Sequence, residues 1–567
     1  MSAKIQVRSV PEHIYQQLQQ AGASPLLARL YAARAVQSDA ELNHSLQQLL
    51  PPERLLNCTA AAERLADAIE QGKKILIVAD YDADGATACS VGMLGLQSMG
   101  ARVDFLVPNR FDDGYGLTPK LSERAAELGT DVLLTVDNGI ASVAGVARAQ
   151  ELGMEVIVTD HHLPAEVQPN CLIVNPNQKG CDFPSKSLAG CGVIFYVLIA
   201  LRQVLRQRGF FSADGIAEPN LGELLDLVAL GTVADVVALD HNNRILVSNG
   251  LQRIRTGKTR AGINALFQVA RRSTHKAMAF DFGFALGPRI NAAGRLDDMS
   301  LGIHCLLAAN AETAEQLASQ LNEFNHERRE IEQSMLADAL ADLSSHIDGT
   351  QTSIVAYRDD FHQGVVGIVA SRLKDKFYRP TIVFAPADDG EVRGSGRSIP
   401  NLHLRDALDL VSKKAPDLIL KFGGHAMAAG LSIREQDIEL FKKLFEEVVS
   451  NLLKPEDLSQ TFYTDGSLAA HEITLEQARE LEQHVWGQGF AQPTFSDEFR
   501  VARQQFMGRE QKHKKAWLEK DGQQFEAMFW RCEDELPERV RVVYRPAVNE
   551  WKDNVDLQLY IEYWEAA

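Results

Sequence analysis

Short apolar runs alternate with helical stretches rich in Gly and Ala over the first third of the chain. The runs occupy residues 73–79, 103–107, 131–136, 155–159 and 171–174. Short, mainly apolar runs of this length between helices are typical of parallel strands in βαβ units. The pattern therefore predicts an α/β fold with a doubly wound parallel sheet, and a polar, helical segment over residues 1–50 precedes that sheet.

The middle of the chain is predicted to be helical. A helical region over about 187–270 follows the sheet. Residues 311–343 contain no Pro or Gly and place apolar side chains at helical spacing, from Leu317 to Met335. A helix of this length spans about 50 Å at 1.5 Å per residue, which is typical of a helix that connects two domains.

Two further folding regions follow the long helix. A smaller α/β segment over about 350–452 contains strand-like runs at 353–356 and 380–384. From about residue 456, polar turns separate short strand-like pieces, which favours a small β-barrel of the OB kind. These pieces are residues 499–502, 525–530, 540–544 and 557–561.

The chain of 567 residues is too long for one hydrophobic core and predicts several domains. We place an N-terminal helical segment at 1–50, a doubly wound domain at 51–305 and a connecting helix at 306–348. The smaller α/β domain is placed at 349–455 and the barrel at 456–567. The barrel is expected to be separable from the chemistry of the preceding domains.

Composition indicates a globular protein, with 45% apolar and 24% charged residues. The chain has no uninterrupted apolar run of membrane-spanning length, and its start lacks the apolar core of a signal peptide. We therefore predict a cytoplasmic location and no membrane partner. The seven cysteines are scattered without a CxxC pair, which favours reduced thiols over structural zinc.

The net charge of −18 counts against a nucleic-acid partner, because phosphate binding favours a basic surface. A cluster of carboxylates that holds divalent cations would account for part of this acidity and would still bind phosphate through the metals. Net charge alone therefore leaves nucleic-acid binding open.

Carboxylates and histidines follow three of the five predicted strands. They are Asp80, Asp82 and Asp84 after the first strand, Asp137 after the third, and Asp160, His161 and His162 after the fourth. The ends of these strands meet at the carboxyl edge of a doubly wound sheet, where ligands bind. One such Asp by itself is often only a helix cap or turn former. Together they predict a site for divalent cations, since oxygen ligands with one or two imidazoles suit Mn²⁺ or Mg²⁺.

Asp235 is the only charged residue in the apolar run 230–239. Burial of a lone carboxylate costs several kcal/mol unless it is paired or bound to a metal. Asp235 is therefore a further candidate ligand, and the alternative is a core aspartate satisfied by hydrogen bonds.

Several motifs resemble one known family. The Asp160–His162 triplet after Asp82-Ala83-Asp84-Gly85 resembles the name-giving motif of the DHH phosphoesterase superfamily, and residues 423–430 resemble the signature of its companion DHHA1 domain. Residues 231–239, 288–295, 362–373 and 394–398 resemble segments of the RecJ family within this superfamily. The chain departs from the RecJ pattern at Ala238, where proline is usual, and at residues 487–493, where a GxGNPxP-like turn is common.

The resemblance implies a centre of two divalent ions, Mn²⁺ or Mg²⁺, which activate a water and bind phosphate. The implied ligands are Asp82 and Asp137 for one ion, with Asp80 close by, and Asp84, Asp137, His161 and Asp235 for the other. Asp137 would bridge the ions, and His162 would lie beside the scissile phosphate as an electrostatic or acid partner.

The resemblance also implies a pocket for a terminal 5′-phosphate, formed by Arg110, Arg289, Ser395 and Arg397. Asn291 and Arg295 lie among small residues where a backbone could approach a ligand, and His425 would line the substrate cleft. The alternative for any one of these arginines is an ordinary surface ion pair. In the barrel, the candidates for strand contact are Lys512, His513, Lys514, Lys515, Trp517, Tyr544 and Arg545, and the alternative is a solvated loop with core aromatics.

The activity implied by the resemblance is exonuclease digestion of single-stranded DNA from 5′ to 3′, releasing 5′-mononucleotides. The implied roles are recombination and mismatch or base-excision repair, with single-strand DNA-binding protein and a RecQ-type helicase as partners and a monomeric chain. The alternatives are an oligoribonuclease or cyclic-dinucleotide phosphodiesterase of the DHH superfamily and a non-catalytic DNA-binding homologue. The presence of every implied ligand argues against the last of these.

Overall fold

The computed structural model describes residues 3–109, 116–213, 215–344, 351–508, 511–551 and 554–567. The chain forms two compact units. The larger unit comprises Val7–Phe324 and Thr464–Ala567, and the smaller one comprises Met1–Gln6 and Asn325–Tyr463. This grouping differs from the five predicted segments, because the N-terminal segment, the doubly wound domain and the barrel belong to one unit. The predicted segment boundaries stay predictions.

The N-terminal segment contains a strand and two helices, β1 (Lys4–Val7), α1 (Glu12–Gln20) and α2 (Pro25–Ala32). It was predicted to be polar and helical, yet α1 and α2 bury Ile14, Leu18 and Leu30. Helix α2 begins with Pro25 after Ser24, whose hydroxyl accepts a hydrogen bond from the Leu27 amide at 3.3 Å. This is the expected start for a helix with Pro in its first turn.

The doubly wound sheet follows. Its elements are α3 (Cys58–Glu70), β2 (Lys74–Ala79), α4 (Ala83–Ser98), β3 (Arg102–Leu106), α5 (Pro119–Glu127), β4 (Val132–Val136), α6 (Val143–Glu151), β5 (Glu155–Thr159) and β6 (Leu172–Val174). The strands are all parallel, in the order β3–β2–β4–β5–β6. The predicted doubly wound sheet is confirmed. The winding direction reverses between β2 and β4, so their carboxyl ends flank the point where ligands bind in such folds.

Helices complete this part of the larger unit. They are α7 (Gly190–Gln207), α8 (Phe210–Ala213), α9 (Leu225–Ala234), α10 (His241–Arg255), α11 (Ala261–Val269), α12 (Ala279–Asp281), α13 (Gly287–Leu296) and α14 (Ser300–Leu307). A π-helical turn, Phe282–Leu286, joins α12 to α13. Among the described residues, α7 alone is long and apolar enough to cross a membrane, and 72% of it is buried inside the protein.

Helix α15 (Ala311–Ser344) begins in the larger unit and ends in the smaller one, in agreement with the helix predicted over 311–343. The smaller unit continues with β7 (Ile354–Tyr357), α16 (Val366–Phe377), β8 (Thr381–Pro386), β9 (Glu391–Arg397), α17 (Leu404–Lys414), β10 (Ile419–Gly424), β11 (Ala428–Arg434) and α18 (Ile438–Leu452). Its sheet has the order β10–β11–β9–β8–β7, in which only β7 and β8 pair in parallel among the described strands. Strands β9 to β11 lacked a prediction because glycines interrupt their apolar pattern.

The C-terminal region begins with a strand that starts in the smaller unit, and the chain returns to the larger unit at Thr464. It contains β12 (Thr461–Thr464), α19 (Leu475–Gln483), β13 (Phe495–Met507), β14 (His513–Lys520), β15 (Gln523–Phe529), β16 (Arg539–Trp551) and β17 (Asn554–Ala566). The last five strands form a closed barrel in the order β13–β14–β15–β17–β16, which confirms the predicted barrel. Leu468, Trp486 and Phe490 lie between β12 and the barrel and share one hydrophobic core with the doubly wound sheet.

Candidate metal centre and substrate-binding residues

The turn after β2 holds three carboxylates. Asp82 caps α4, because its Oδ1 accepts hydrogen bonds from the amides of Asp84 at 2.9 Å and Gly85 at 3.0 Å. A Cβ at Gly85 would lie 2.4 Å from the Asp80 carbonyl oxygen, so only glycine fits there. The tight turn therefore fixes Asp80, Asp82 and Asp84 together at the carboxyl edge of the sheet.

Asp137 follows β4 in a left-handed backbone conformation with φ of 62°. Aspartate tolerates this region better than most residues. The next side chain supports the turn, because Asn138 Nδ2 donates to the carbonyls of Val78 at 3.0 Å and Val136 at 2.9 Å. The ends of β2 and β4 are thereby joined, and Asp137 is held with 1% of its surface exposed.

His161 lies at the centre of the cluster. Its Nε2 is 3.1 Å from Asp137 Oδ1, 3.4 Å from Asp235 Oδ2 and 4.0 Å from Asp84 Oδ2. His161 Nε2, Asp137 Oδ1 and Asp235 Oδ2 are all buried, and none of them has a hydrogen-bond partner among the described residues. Buried polar atoms are almost always satisfied, so three orphaned atoms that face one another indicate a place for a cation.

Backbone amides and glycines pack around the Asp84 carboxylate. The amides of Gly190 and Cys191, at the start of α7, donate to it at 2.6 and 3.0 Å. A Cβ at Gly190 would lie 2.6 Å from Asp137 Oδ1, and one at Gly231 would lie 2.8 Å from Asp84 Oδ1. Gly190 was missed by sequence reasoning, and Gly231 was noted only within the 231–239 motif, because each is required by a neighbour distant in sequence.

Asp235 closes the last turn of α9. The loop after it is held from two sides. Asn243 Nδ2 donates to the Ala238 carbonyl at 2.9 Å, and the Leu239 amide donates to the carbonyl of Gln488 at 2.8 Å. The C-terminal region thus contacts the loop that follows a candidate ligand.

Asp160 has a different role from the other carboxylates. Its Oδ1 accepts from the amides of His161 at 2.7 Å and His162 at 3.0 Å and bonds His162 Nδ1 at 2.8 Å, while its Oδ2 accepts from the Ile140 amide at 2.9 Å. Burial alone would lower the pKa of His162, but the hydrogen bond and charge of Asp160 outweigh it and raise this pKa to about 9. Asp160 therefore orients His162 and favours its protonated form.

Four other carboxylates of the cluster, those of Asp80, Asp84, Asp137 and Asp235, are destabilised as anions. Burial, with a contribution from Asp82, raises the pKa of Asp80 to about 8. Burial also raises the pKa of Asp84, and burial and neighbouring carboxylates raise those of Asp137 and Asp235 well above the ordinary value. Clustered like charges in a buried site are stabilised by cations.

The donor atoms fit one or more hard divalent cations. Three groups have ligand atoms within 4.8 Å of one another, namely Asp80 with Asp82 and Asp137, Asp84 with His161 and Asp235, and Asp137 with His161 and His162. Carboxylate oxygens with imidazole nitrogen suit Mn²⁺ and also Mg²⁺. The structure therefore brings together all the residues predicted as ligands, and the assignment of each to an ion stays a prediction.

Two of the residues predicted for the 5′-phosphate pocket lie side by side on β9 in the smaller unit. Arg397 Nη1 donates to Ser395 Oγ at 3.1 Å and to the Gly396 carbonyl at 2.8 Å. A Cβ at Gly367 would lie 2.9 Å from both Ser395 Oγ and Arg397 Nη2, so the first turn of α16 approaches both side chains. A helix N-terminus beside a guanidinium and a hydroxyl is suited to an anion. From the sequence, Gly367 was noted only within the 362–373 motif.

His425 is exposed in the turn between β10 and β11. Its amide donates to the Ala428 carbonyl at 2.8 Å, and Ala428 lies opposite Arg397 in the register of β11 and β9. His425 is therefore at the same end of the sheet as Arg397, and its predicted place in a substrate cleft stays a prediction.

Helix α13 carries the predicted substrate residues of the larger unit. Arg289 is buried, with Nη1 donating to the Ala285 carbonyl at 2.7 Å and Nε to Asn322 Oδ1 at 3.0 Å. Asn291 Oδ1 accepts from the Ala83 amide at 2.7 Å, so Asn291 supports the turn of the metal centre. Arg295 is half-buried in the last turn. Substrate contact by these residues stays a prediction, and Arg110 lies outside the described residues.

Two barrel candidates are core residues. Lys514 is buried with Nζ donating to the Asp534 carbonyl, and Tyr544 is buried with its hydroxyl donating to Asp497 Oδ2 at 2.8 Å. Neither presents a surface to a DNA strand, so Tyr544 is a core aromatic, as the alternative had it, and Lys514 is a buried residue of β14 and not part of a solvated loop. Trp517 is half-buried between Arg503, 4.7 Å from its ring centroid, and Lys515, at 5.4 Å. This cluster remains a candidate contact.

Family models match three stretches of the chain. The DHH family N-terminal domain matches residues 74–232, the DHHA1 domain matches 350–451 and the RecJ OB domain matches 464–563. Each match lies inside one of the domains predicted from the sequence.

Curated relatives and solved structures agree with these matches. The single-stranded-DNA-specific exonuclease RecJ of Escherichia coli (strain K12) is 48% identical over 551 residues, 95% of each chain, and that of Haemophilus influenzae is 45% identical over 554 residues, 95% of this chain and 96% of the relative. RecJ of Thermus thermophilus in complex with Mn²⁺ superposes with a TM-score of 0.83 at 29% identity, over 100% of this chain and 80% of that one. Its complex with Mg²⁺ gives a TM-score of 0.78 at 28% identity, over 100% and 78%. With this identity over nearly the full length of both chains, the protein belongs to the RecJ family.

Proposed function

We propose that the chain is a single-stranded-DNA-specific exonuclease that degrades its substrate from 5′ to 3′ and releases 5′-mononucleotides with two divalent ions. The observation that carries the proposal is the convergence of His161 Nε2, Asp137 Oδ1 and Asp235 Oδ2, buried without hydrogen-bond partners among the described residues. It occurs in a chain that is 48% identical to a curated exonuclease of this specificity.

The ligand sets divide between the two proposed ions. Asp80, Asp82 and Asp137 would hold one, and Asp84, Asp137, His161 and Asp235 would hold the other. When bound, such ions supply a hydroxide nucleophile near neutral pH and neutralise charge on the phosphate. The chain itself contributes the position of each carboxylate and a neutral His161, whose pKa is lowered by burial.

His162 would act on the substrate without holding an ion. Asp160 raises the pKa of His162 to about 9, so the imidazole is protonated near neutral pH. A protonated imidazole can stabilise negative charge that develops on the phosphate, or donate a proton to the departing 3′-oxygen.

The 5′-to-3′ direction of digestion would come from a site in the smaller unit that is suited to an anion. Ser395, Arg397 and the first turn of α16 offer a hydroxyl, a guanidinium and a helix N-terminus. A terminal 5′-phosphate is the group on a DNA strand that these donors fit best, since arginine binds phosphate through charge-assisted hydrogen bonds. Recognition of that phosphate would make digestion start at the 5′ end.

The proposed biological setting is the one that resemblance to the RecJ family implies. The chain would act as a monomer in the cytoplasm, in recombination and in mismatch or base-excision repair, with single-strand DNA-binding protein and a RecQ-type helicase as partners.

One assay tests activity and polarity together. Single strands and blunt duplexes with a 5′-phosphate or a 5′-hydroxyl are incubated with wild type and with Arg397→Ala, in Mn²⁺, Mg²⁺ or EDTA. We expect digestion of single strands only, none in EDTA, and a loss of roughly tenfold or more for Arg397→Ala on 5′-phosphorylated strands, from a charge-assisted contact worth about 1.5–3 kcal/mol. The loss on 5′-hydroxyl strands should be much smaller. Digestion from the 3′ end would overturn the proposed polarity, and an equal loss on both strands would remove Arg397 from the phosphate site.

A further inference from the structure

An exposed aromatic pair lies on α12 and the π-helical turn, directly before α13, whose Asn291 contacts the turn of the metal centre. The rings of Phe280 and Phe284 stack with centroids 4.4 Å apart and an interplanar angle of 17°. They are 39% and 67% exposed, whereas Phe282 between them is fully buried. Single exposed apolar side chains are ordinary, whereas neighbouring exposed rings that form one patch are a feature of binding surfaces.

A π-helical turn separates the buried residues of this segment from the two exposed rings. Phe282–Leu286 is π-helical, between α12 and α13. Single π-turns are rare and occur frequently at functional sites. Here the turn lets Phe282, Ala285 and Leu286 pack into the core while Phe280 and Phe284 stay on the surface.

The pair is connected directly to the metal centre within the larger unit. A Cβ at Gly287 would lie 3.1 Å from Ala234 Cβ, and Ala234 is the residue before Asp235. Further along α13, Asn291 accepts from the Ala83 amide. From Phe284 to Asn291 is seven residues, about 10 Å of helix at 1.5 Å per residue. The pair therefore lies about two helical turns along the chain from a residue that contacts the turn of the metal centre.

Basic residues precede the aromatic pair. Arg271, Arg272, His275 and Lys276 are exposed, in a chain whose net charge is −18. Arg272 Nε lies 3.6 Å from Asp281 Oδ1, which ties this basic run to α12, and Lys276 Nζ is paired with Glu550 Oε2. Arg271 has no carboxylate within ion-pair distance among the described residues. Exposed rings beside positive charge are what single-stranded nucleic acid requires, since bases stack on the rings and phosphates contact the cations.

We propose that Phe280 and Phe284 form a base-stacking subsite for the single strand close to the metal centre, with the basic run 271–276 along its backbone. This inference rests on the proposed function and adds a residue-level source of selectivity. Bases in a single strand can stack on a protein ring, whereas bases in a duplex are already stacked on one another.

The test combines protein and substrate changes. The double variant Phe280→Ala/Phe284→Ala should raise KM for long single strands roughly tenfold, the range of one base–aromatic stack, with kcat within about twofold. Phe284→Tyr should keep the wild-type KM. Leu152→Ala, which removes a side chain 37% exposed elsewhere in the same unit, is the matched control and should change nothing.

Strands with a single abasic site, moved one position at a time from the 5′ end, locate the subsite. When the abasic site lies at the subsite, the KM of wild type should rise by the same factor as the double variant's KM does on an intact strand. The KM of the double variant should not rise further on that abasic strand. Melting temperatures of all variants should match wild type, because both rings are at the surface. An unchanged KM for the double variant, or a lowered melting temperature that accounts for the loss, overturns the subsite alone. Failure of wild type to digest single strands overturns the proposed function first.

Discussion

Asp137 and Asp160 follow adjacent strands, yet their surroundings have opposite effects on the two carboxylates. Asp160 accepts four hydrogen bonds, and these outweigh the effect of burial and hold its pKa below the ordinary value. Asp137 Oδ1 has no partner among the described residues, and burial together with Asp84 raises its pKa well above that value. Asp160 therefore stabilises the fold as an anion, whereas ionised Asp137 costs stability, a frequent trade at active sites.

Asp137→Asn should abolish cleavage and stabilise the metal-free protein. A raised carboxylate pKa means that the folded state binds more protons than the unfolded one, so the cost of Asp137 is absent below the ordinary pKa and grows as pH rises. At pH 8 in EDTA, the variant should melt above wild type. Added Mn²⁺ should raise the melting temperature of wild type more than that of the variant.

Asp160→Asn is the control for this comparison. It removes charge-assisted hydrogen bonds instead of a repulsive charge, so it should melt below wild type in EDTA. A metal-free Asp137→Asn protein that also melts below wild type would contradict the strain assigned to Asp137.

At the scale of elements, the turn Gly487–Phe490 braces the loop after Asp235. The Gln488 carbonyl accepts from the Leu239 amide at 2.8 Å. A Cβ at Gly489, whose φ is +68°, would lie 2.9 Å from Ala238 Cβ. Phe490 is buried under Arg244, whose guanidinium carbon is 4.2 Å from the ring centroid. The position of Asp235 therefore depends on a segment of the C-terminal region.

Gly489→Val should weaken metal binding without removing a ligand. Valine is strained at positive φ, and its side chain would push against Ala238. Loss of support around a ligand typically costs 10–100-fold in affinity or activity. We expect a rightward shift of about tenfold in the Mn²⁺ dependence of cleavage, with recovery at excess Mn²⁺.

Gly522→Val is the matched control, because Gly522 has a φ of +76° and no atom within 4 Å of the position of a Cβ. It should carry the same backbone strain and leave the Mn²⁺ dependence unchanged. If both variants respond to Mn²⁺ as wild type does, the turn does not position Asp235.

The elements and ligands that could be predicted are those whose residue types differ clearly from their neighbours in the sequence. Strands β2, β4, β5 and β6 are short, largely apolar runs, and carboxylates directly after such runs are conspicuous. Strand β14 was missed because Lys514 and Lys515 mask its alternation, although Ala516 and Leu518 are buried in the barrel. The need for Gly190 is set by its distance from Asp137, and no local pattern encodes such a distance.

At the scale of the whole larger unit, the barrel region is joined to the N-terminal helices by a buried ion pair. Arg34 donates to both carboxylate oxygens of Asp465, at 2.9 and 2.8 Å, and Arg8 lies 3.5 Å from the same carboxylate. The Thr494 amide also donates to Asp465 at 3.0 Å. The structure therefore argues against the expectation that the barrel can be removed while the metal chemistry stays intact.

Asp465→Ala should destabilise the larger unit strongly. It leaves Arg34 buried without its counter-charge, and breaking a buried pair in this way costs about 3–5 kcal/mol. We expect a lower melting temperature and a loss of activity that follows unfolding. Glu218→Ala, which breaks the exposed pair with Arg206, should have little effect. Equal melting temperatures for the two variants would show that the contact between the barrel region and the N-terminal helices does not stabilise the larger unit.

The contact between Gly489 and Ala238 has a consequence for how members of this family can exchange parts. The two residues are distant in sequence, yet a Cβ at Gly489 would lie 2.9 Å from Ala238 Cβ. A larger side chain at either position would reduce the space available to the other. We therefore expect substitutions in the loop at Ala238 and in the turn at Gly489 to occur together. A chimera that joins the first 463 residues of this chain to the C-terminal region of a relative would combine the Ala238 loop of one protein with the contacting turn of another. We expect the two surfaces to fit less well than in either parent.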